Sequence, residues 1–409
     1  MFMNNNISIF TVCNVAYLNK VSVLAKSVFK NTGIKLDIFV FDIKREVNVN
    51  SRYCQITWIE ELEIPNLKKL AFKYTVIELT TALKPYIALK LLEKNNKVIF
   101  FDPDVMVFNS LNSIFDNLDQ NPIVITPHYF HPKINGLIDD ARLMRFGSFN
   151  LGFFAVNNSD YSKEFLTWWS ERCLTDGFDD TQFGIFTDQK WVSIAPNFFP
   201  QIHITYDPGY NVAFWNIDER TITKNSEGKY IVNKEYPLSF FHFSSFSSEF
   251  PEKLTAKNFN LGENAPELIS EISVLYSNEL RKHNNISSDT TYSFDYMSDG
   301  RYISPALRRA YASMMNKLPE NHDPFDSKDI IATFAKKNHL FQKNNKRYSA
   351  NGYKNVGENT WKFKIVYVLM KFTLRIIGPN NFMNLSRLLV YLSSYHKIDE
   401  MWKYGNNEK

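Results

Sequence analysis

The sequence has few of the features that mark secreted or membrane-spanning proteins. Its three cysteines (Cys13, Cys54 and Cys173) lie far apart, form no CxxC or zinc-type spacing, and are too few and odd in number for a disulfide framework. The first residues, MFMNNNISIFTV, lack a basic segment followed by a long apolar run, so we expect no signal peptide. No run of about 18 uncharged apolar residues occurs, so we expect no spanning helix. A cytoplasmic protein is therefore the expectation.

An excess of charge is also missing. The chain has 47 basic and 43 acidic residues, a formal net charge of +4, and no dense basic patch interleaved with aromatic residues. This balance argues against a nucleic-acid partner. A composition with 44% hydrophobic and 22% charged residues is instead typical of a folded protein with a sizeable core.

Apolar runs alternate with amphipathic stretches through the first 255 residues. We predict strands over 7–12, 36–41, 55–59, 97–101, 122–126 and 151–156, with helices over 18–30, 81–93 and 163–173. Such alternation predicts an α/β fold with a mostly parallel, doubly wound sheet, in which ligands bind beyond the carboxyl ends of the strands.

The character of the chain changes after about residue 255. We therefore predict an α/β domain over residues 1–255 and a mainly helical appendage over residues 256–409. Within the appendage, residues 361–377 are apolar but carry Lys362, Lys364, Lys371 and Arg375. This segment fits a helix that lies on a membrane surface, and it also fits a helix packed on the catalytic domain with its basic residues towards water.

Two carboxylates follow one of the predicted strands. Asp102 and Asp104, separated by Pro103, come directly after the apolar run KVIFF and before VMVF. Oxygen ligands at this spacing suit Mn²⁺ or Mg²⁺, which neutralise a departing diphosphate. The simpler alternative is a solvated Asp-Pro-Asp turn. His242, in the predicted strand 238–243, is either a third ligand or a hydrogen-bonded core histidine.

Four ordered blocks resemble a known family. They are Leu83-Lys84-Pro-Tyr86 to Leu91, Val98 to Phe108, Ser148-Phe-Asn150-Leu-Gly152 to Asn157, and Thr187-Asp188-Gln189. Over roughly residues 5–255 the chain resembles the GT-A-fold glycosyltransferases, in particular the retaining family-8 enzymes of the glycogenin and bacterial lipopolysaccharide galactosyl- and glucosyltransferase type.

The resemblance implies a role for each matching residue. Asp102, Asp104 and His242 would bind Mn²⁺ (or Mg²⁺), and Asp102 would also lie near the donor ribose. The remaining donor-binding residues would be Thr11, Asn14, Lys84 and Gly152. Asp188, Gln189 and Asn150 would form the catalytic group around the donor sugar. The implied partners are a nucleotide-sugar, with a UDP-sugar favoured, and a glycan or glycosylated carrier.

One part of the chain departs from the family pattern. The family usually has a glycine three residues after its histidine and a Lys-Pro-Trp segment soon afterwards, whereas this chain has Ser245 followed by FSSEFP. Lys253 would then be the substitute for the missing lysine. Tyr210, Asn211 and Trp215 follow a Pro-Gly turn and are candidates for sugar or acceptor contacts.

Three functional hypotheses follow. The first is a retaining, metal-dependent transferase acting in the cytoplasm or at the inner face of the cell membrane. The second is an inverting GT-A transferase in which an Asp or Glu acts as general base. The third is a catalytically silent GT-A-like protein that binds a glycan or a partner, against which the complete set of acidic residues argues.

Overall fold

A computed structural model of the chain describes residues 6–135, 138–255, 267–283, 286–287, 289–345, 347 and 361–393. The chain divides into two compact units. The first comprises Met1–Ile64 and Val76–Ser293, and the second comprises Pro65–Thr75 and Phe294–Lys409.

A seven-stranded sheet forms the centre of the first unit. Its strands, in spatial order, are β10 (Ile202–Ile204), β6 (Ile123–Pro127), β7 (Phe149–Asn157), β4 (Lys97–Phe101), β1 (Ile7–Cys13), β2 (Leu36–Val40) and β3 (Cys54–Trp58). The helices of this unit are α1 (Leu18–Thr32), α3 (Val76–Ala82), α4 (Lys84–Leu92), α5 (Asn112–Gln120), α6 (Asp140–Phe146), α7 (Asp160–Asp176), α8 (Gln189–Val192) and α9 (Glu267–Arg281). All six predicted strands are present, so the predicted α/β class is confirmed.

One strand of this sheet runs against the others. Neighbours β1, β2, β3 and β4 pair in parallel, and so do β6 and β10, whereas β7 is antiparallel to both β4 and β6. Because of this reversal, the first residues of β7 lie beside the end of β4, with Phe153 opposite Phe101. The sheet edge that carries Asp102 therefore also carries the start of β7.

The smaller strands form three further sheets. They are β5 (Val105–Val107), β11 (Val212–Ala213) and β15 (Phe240–His242) in one, β12 (Ile222–Lys224), β13 (Tyr230–Val232) and β14 (Tyr236–Pro237) in another, and β8 (Asp179–Asp180) and β9 (Ile185–Phe186) in the last. In the first of these, β15 is antiparallel to β5 and places His242 opposite Val105. The predicted late strand is thus present, but outside the central sheet.

The core of the sheet is rich in aromatic side chains. Phe100 and Phe154 stack on one face with ring centroids 5.2 Å apart, and Trp169 of α7 packs edge-on against Phe154 at 5.1 Å. Phe101 and Phe153 lie on the opposite face, as expected for the two-residue period of a strand. These four phenylalanines are fully buried and serve packing.

One detail differs from the sequence-based expectation. The helix predicted over 81–93 begins at Lys84 as α4, while residues 81 and 82 end the separate helix α3, because Pro85 lies in the first turn of α4 and favours a helix start there. The first compact unit continues to Ser293, with α9 packed against α1, and the division into a domain over 1–255 and an appendage over 256–409 stays a prediction.

The second unit is helical, with α2 (Leu67–Lys73), α10 (Pro305–Met314), α11 (Ile330–Lys337) and α12 (Trp361–Leu392). The buried Arg308 organises it, because its guanidinium donates to the carbonyls of Ala71, Phe72 and Tyr74 and pairs with Asp295 at 3.0 Å. Helix α12 is bent at Gly378, where φ is 78° and the next residue is Pro379. Within the described residues, no helix combines the length and the apolar character needed to cross a bilayer.

Candidate active site

The ends of β4, β7 and β15 converge on one point. Asp102 follows β4, and its backbone N–H donates to the carbonyl of Gly152 in β7 at 2.8 Å. The N–H of Phe243, directly after β15, donates to the carbonyl of Asp104 at 2.8 Å. These backbone bonds hold the Asp-Pro-Asp turn against both strands and fix the directions of its carboxylates.

Asp102, Asp104 and His242 form a compact group. One potential ligand atom from each lies within 4.8 Å of the others. The His242 Nε2 atom is 3.1 Å from Asp104 Oδ1 and 3.8 Å from Asp102 Oδ2. Burial alone would raise the pKa of Asp104, but His242 and Lys20 lower it to about 2, so this carboxylate is ionised. Two carboxylates and an imidazole are a suitable donor set for Mn²⁺.

Asn211 determines which nitrogen of His242 faces the carboxylates. Its amide Nδ2 donates to Thr126 Oγ1 at 2.9 Å and to Asn150 Oδ1 at 3.0 Å, which leaves its Oδ1 as an acceptor 3.3 Å from His242 Nδ1. With Nδ1 donating to Asn211, the Nε2 atom faces Asp104. Either a proton on Nε2 or a metal ion between the two atoms satisfies this contact, and the second arrangement is that of a metal-binding histidine.

Gly152 makes room for the imidazole. A Cβ atom at this position would lie 2.4 Å from Cε1 and 2.7 Å from Nδ1 of His242, far inside any real contact. His242 can take its position only because residue 152 of β7 has no side chain.

Lys84 joins the acidic group to Asp188. Its ammonium lies 3.1 Å from Asp102 Oδ1 and 3.2 Å from Asp188 Oδ2, and it also donates to the carbonyl of Leu151 at 3.2 Å. Burial raises the pKa of Asp188 above its ordinary value, although Lys84 opposes the shift. For Lys84, burial favours a lower pKa, but the two carboxylates reverse this and raise the pKa.

Asp188 follows a residue with a strained backbone. Thr187 has a φ of 46°, which is unfavourable for a β-branched residue, and its hydroxyl donates to Asp188 Oδ1 at 3.1 Å. Gln189 is fixed beside it: its Oε1 accepts from the N–H of Leu151 at 3.3 Å, and its Nε2 donates to the carbonyl of Phe146 at 3.0 Å. These side chains are preorganised by the surrounding protein.

A cavity of about 410 Å³ opens over this group. Most of the residues predicted from the sequence line it, namely Asn14, Lys84, Asp102, Asp104, Asn150, Gly152, Asp188, Gln189 and His242. Its volume is in the range of small-molecule sites.

Five predicted residues lie outside the cavity wall. Thr11 is fully buried in β1, and the ammonium of Lys253 lies over the ring of Phe250. Tyr210 is in the core, where its hydroxyl donates to Ser113.

Trp215 is also buried and contacts His242 edge-on at 5.1 Å. Asn211 contacts the same histidine, so the structure places both behind the acidic group and not in contact with the open cavity, where a sugar would bind.

Three further residues near the cavity were missed from the sequence. Tyr17 lines it, and Lys20 lies 3.8 Å from Asp104. His128 is buried beside Asn150, and burial lowers its pKa to about 4, so its ring is neutral. For Lys20 a signal existed, since the first turn of α1 contains a lysine and no acidic residue.

Comparison with known proteins agrees with this geometry. Residues 35–236, slightly less than half of the chain, match the family described as nucleotide-diphospho-sugar transferase. Two proteins of Bacillus subtilis (strain 168) are similar: the uncharacterized protein YfnD is 29% identical over 208 residues, and the uncharacterized protein YfnF is 28% identical over 198 residues. The alignments cover 50% and 46% of this chain and 63% of each relative.

Solved structures show weaker likenesses. The galactosyltransferase LgtC in complex with donor and acceptor sugar analogs is 15% identical with a TM-score of 0.42, covering 69% of this chain and 98% of that one. The glycosyltransferase GlyE of Streptococcus pneumoniae TIGR4 is 16% identical with a TM-score of 0.39, covering 68% and 63%.

The fold, the site and the family match point in the same direction. The mostly parallel sheet has the acidic group at the carboxyl end of β4, where such sheets bind ligands, and the matched residues include both aspartates. The chain is therefore an α/β protein whose acidic group lies at the ligand-binding edge of the sheet, within the residues that match the nucleotide-diphospho-sugar transferase family.

Proposed function

We propose that the protein transfers a sugar from a nucleotide-sugar donor, with a UDP-sugar favoured, to a glycan or a glycosylated carrier. The observation that carries this proposal is that one cavity is lined by all of the residues Asp102, Asp104, His242, Lys84 and Asp188. A protein that only binds a glycan does not need three carboxylates and a lysine in one cavity. A transferase does, because the carboxylates hold a cation that stabilises the departing diphosphate.

Asp102, Asp104 and His242 would hold Mn²⁺ or Mg²⁺. When bound, such an ion supplies positive charge for the diphosphate, as a Lewis acid does for any phosphate leaving group. Asn211 keeps Nε2 of His242 free for this purpose, and Lys84 keeps Asp102 in position. Among the described residues, this is the cluster whose ligand atoms are close enough for one ion.

Transfer with retention is the favoured outcome. Asp188, which is buried and contacts Lys84 and Thr187, would stabilise positive charge on the anomeric carbon. In a same-face reaction the leaving phosphate oxygen can accept the proton of the acceptor hydroxyl, so no separate protein base is needed. The inverting alternative has one observation in its favour, because Asp179 also lines the cavity and could act as a base.

The decisive experiment tests nucleotide-sugars of different base and sugar for Mn²⁺-dependent donor hydrolysis, with chelated enzyme as the control. Hydrolysis of at least one donor that stops on chelation supports the proposal. If no donor is hydrolysed or transferred by a folded protein, the silent, ligand-binding hypothesis is correct. The anomeric configuration of the product then distinguishes retention from inversion.

Helix α12 supports a second element of the proposal, peripheral contact with a membrane. Large apolar side chains are exposed around this helix, including Val368, Leu369, Phe372, Ile376 and Leu389. Residues 361–392 contain no aspartate or glutamate but five basic residues. Lys364, Lys371, Arg375 and Arg387 among them are exposed.

An apolar and basic helix of this kind matches the interface of an anionic bilayer, where its side chains enter the headgroup region without spanning it. Its proposed place of action is therefore the inner face of the cell membrane, where a carrier-linked acceptor would be available. Sedimentation with vesicles of phosphatidylcholine, with and without phosphatidylglycerol, tests this. Binding that requires the anionic lipid is expected, and equal recovery in the supernatant with both vesicles would contradict it.

A further inference from the structure

Lys20 occupies an unusual position in α1. It is the third residue of the helix, where the macrodipole disfavours positive charge, and no acidic residue lies in the first turn to compensate. Its ammonium lies 3.8 Å from Asp104 Oδ2 and 4.7 Å from the ring centroid of Tyr17. Because Asp104 and Tyr17 both line the cavity, the charge of Lys20 acts on the cavity.

The charge balance of the site shows what Lys20 contributes. Asp102, Asp104, Asp179 and Asp188 line the cavity with four negative charges, and Lys84 supplies one positive charge. A divalent cation would leave one negative charge in excess, which repels a diphosphate. The positive charge of Lys20 offsets this excess.

Other cations of the described cavity region do not fill this role. Lys84 is buried and already lies between two carboxylates, so its charge is used within the protein. Lys253 is the candidate to replace the family's Lys-Pro-Trp lysine. Neither it nor Lys20 lines the cavity directly, but Lys20 lies 3.8 Å from the lining residue Asp104, whereas the ammonium of Lys253 lies over the ring of Phe250. Lys20 has a side chain that is 20% exposed and is held by a single, long ion pair, so it can turn towards a ligand.

We propose that Lys20 binds the diphosphate of the donor and takes the place of the missing loop lysine. This inference depends on the proposed function, because it assumes a donor with a diphosphate. Lys20 is a binding residue here, whose ammonium donates charge-assisted hydrogen bonds to phosphate oxygens beside Asp104.

The experiment measures binding by calorimetry with UDP, GDP, ADP, CDP and dTDP in the presence of Mn²⁺. The nucleoside diphosphate that binds the wild type is then compared with its nucleoside. In Lys20→Gln we expect the affinity for the diphosphate to fall about tenfold or more, since a hydrogen bond to a charged group is lost. The affinity for the nucleoside should stay within about twofold, and Lys20→Arg should restore most of the loss. Lys26→Gln, on the same helix and paired with Glu279, is the matched control.

A second readout separates this role from a structural one. Lys20 repels any cation at Asp104, so Lys20→Gln should bind Mn²⁺ at least as tightly as the wild type while it binds the diphosphate more weakly. A general distortion of the site would weaken both.

The outcomes are distinguishable. If the wild type binds no nucleoside diphosphate, the proposed function fails and this inference fails with it. If the wild type binds one and Lys20→Gln binds it equally well, the inference alone is wrong. A loss confined to Lys253→Gln would also overturn it and return the role to the loop.

Discussion

In most proteins charged side chains are exposed and apolar side chains are buried. The cavity of the first unit and helix α12 of the second unit each break one half of this rule. The cavity buries charge: the side chains of Lys84 and Asp188 are 5% and 3% exposed. Helix α12 instead exposes apolar side chains over its whole described length. Buried charges and exposed apolar surfaces are both costly unless something complements them. Under the proposed function, a different partner complements each region: an ionic ligand binds in the cavity, and an anionic bilayer covers the helix.

The largest effect is expected where the ionic partner binds. Asp104→Asn removes a charged ligand and should lower donor hydrolysis about 10³-fold, the consequence of losing several kcal/mol of charge stabilisation. Thermal unfolding should stay near that of the wild type, because the side chain lies at the end of a strand. Unchanged hydrolysis in both the presence and the absence of chelator would show that the cavity does not depend on an ion.

The second prediction removes the charge of the helix and leaves its apolar residues. The quadruple change of Lys364, Lys371, Arg375 and Arg387 to Gln should weaken binding to anionic vesicles by about 4 kcal/mol at low salt, since each basic residue contributes about 1 kcal/mol. Donor hydrolysis should persist in the variant.

The control for lost charge is the double variant Lys328→Gln and Lys336→Gln, which changes two exposed lysines outside α12. Its binding to vesicles should equal that of the wild type. Equal losses in both variants would mean that attraction is general and not a property of α12.

The third prediction concerns acid stability of the first unit. The pKa of His128 is lowered from 6.5 to about 4 by burial, so the unfolded chain binds its proton first as the pH falls. The stability that depends on neutral His128 is complete above pH 6.5 and is lost towards pH 4, by about 3 kcal/mol.

In His128→Gln, the free energy of unfolding measured with urea should fall by about 3 kcal/mol less between pH 7 and pH 4 than in the wild type, whatever its value at pH 7. His131→Gln, whose parent side chain is 79% exposed, should retain the wild-type slope. A wild-type slope in His128→Gln would show that other groups cause the decline.

The smallest effect is expected at Asn211, which orients the ring of the proposed metal ligand His242. Asn211→Gly keeps the backbone relaxed, because φ is 49° at this position, but removes the acceptor for His242 Nδ1. The affinity for Mn²⁺ should fall about tenfold, as for other residues that orient a ligating histidine, and Asn211→Asp should retain most of it. Tyr210→Phe is the neighbouring control. Wild-type affinity in Asn211→Gly would show that Trp215 and Gly152 are enough to orient the ring.

The sequence predicted much of the fold because its strands are short apolar runs separated by polar turns. Lys97 to Phe101 is an example: five consecutive apolar or half-apolar residues became β4, with Asp102 at its end. Helix α4 was less predictable, since Pro85 starts a helix as readily as it interrupts one.

The details of the site depended on information that the local sequence lacks. Asn211 was a candidate for sugar or acceptor contacts because it lies between Tyr210 and Trp215 after a Pro-Gly turn, but its left-handed backbone turns the amide towards His242. Lys20 is 84 residues from Asp104, and their proximity arises only when α1 packs beside β5. Contacts between distant segments of this kind cannot be inferred from spacing along one chain.

The close approach of β7 to His242 has a consequence for the evolution of such chains. Because a single methyl group at position 152 would meet the imidazole at 2.4 Å, one substitution can displace the ring while the sheet around it stays intact. Duplicated copies of this chain could therefore lose the position of His242 while they keep the fold. In a set of sister sequences, the residue at position 152 would separate those that still have a working centre from those that have kept only the scaffold.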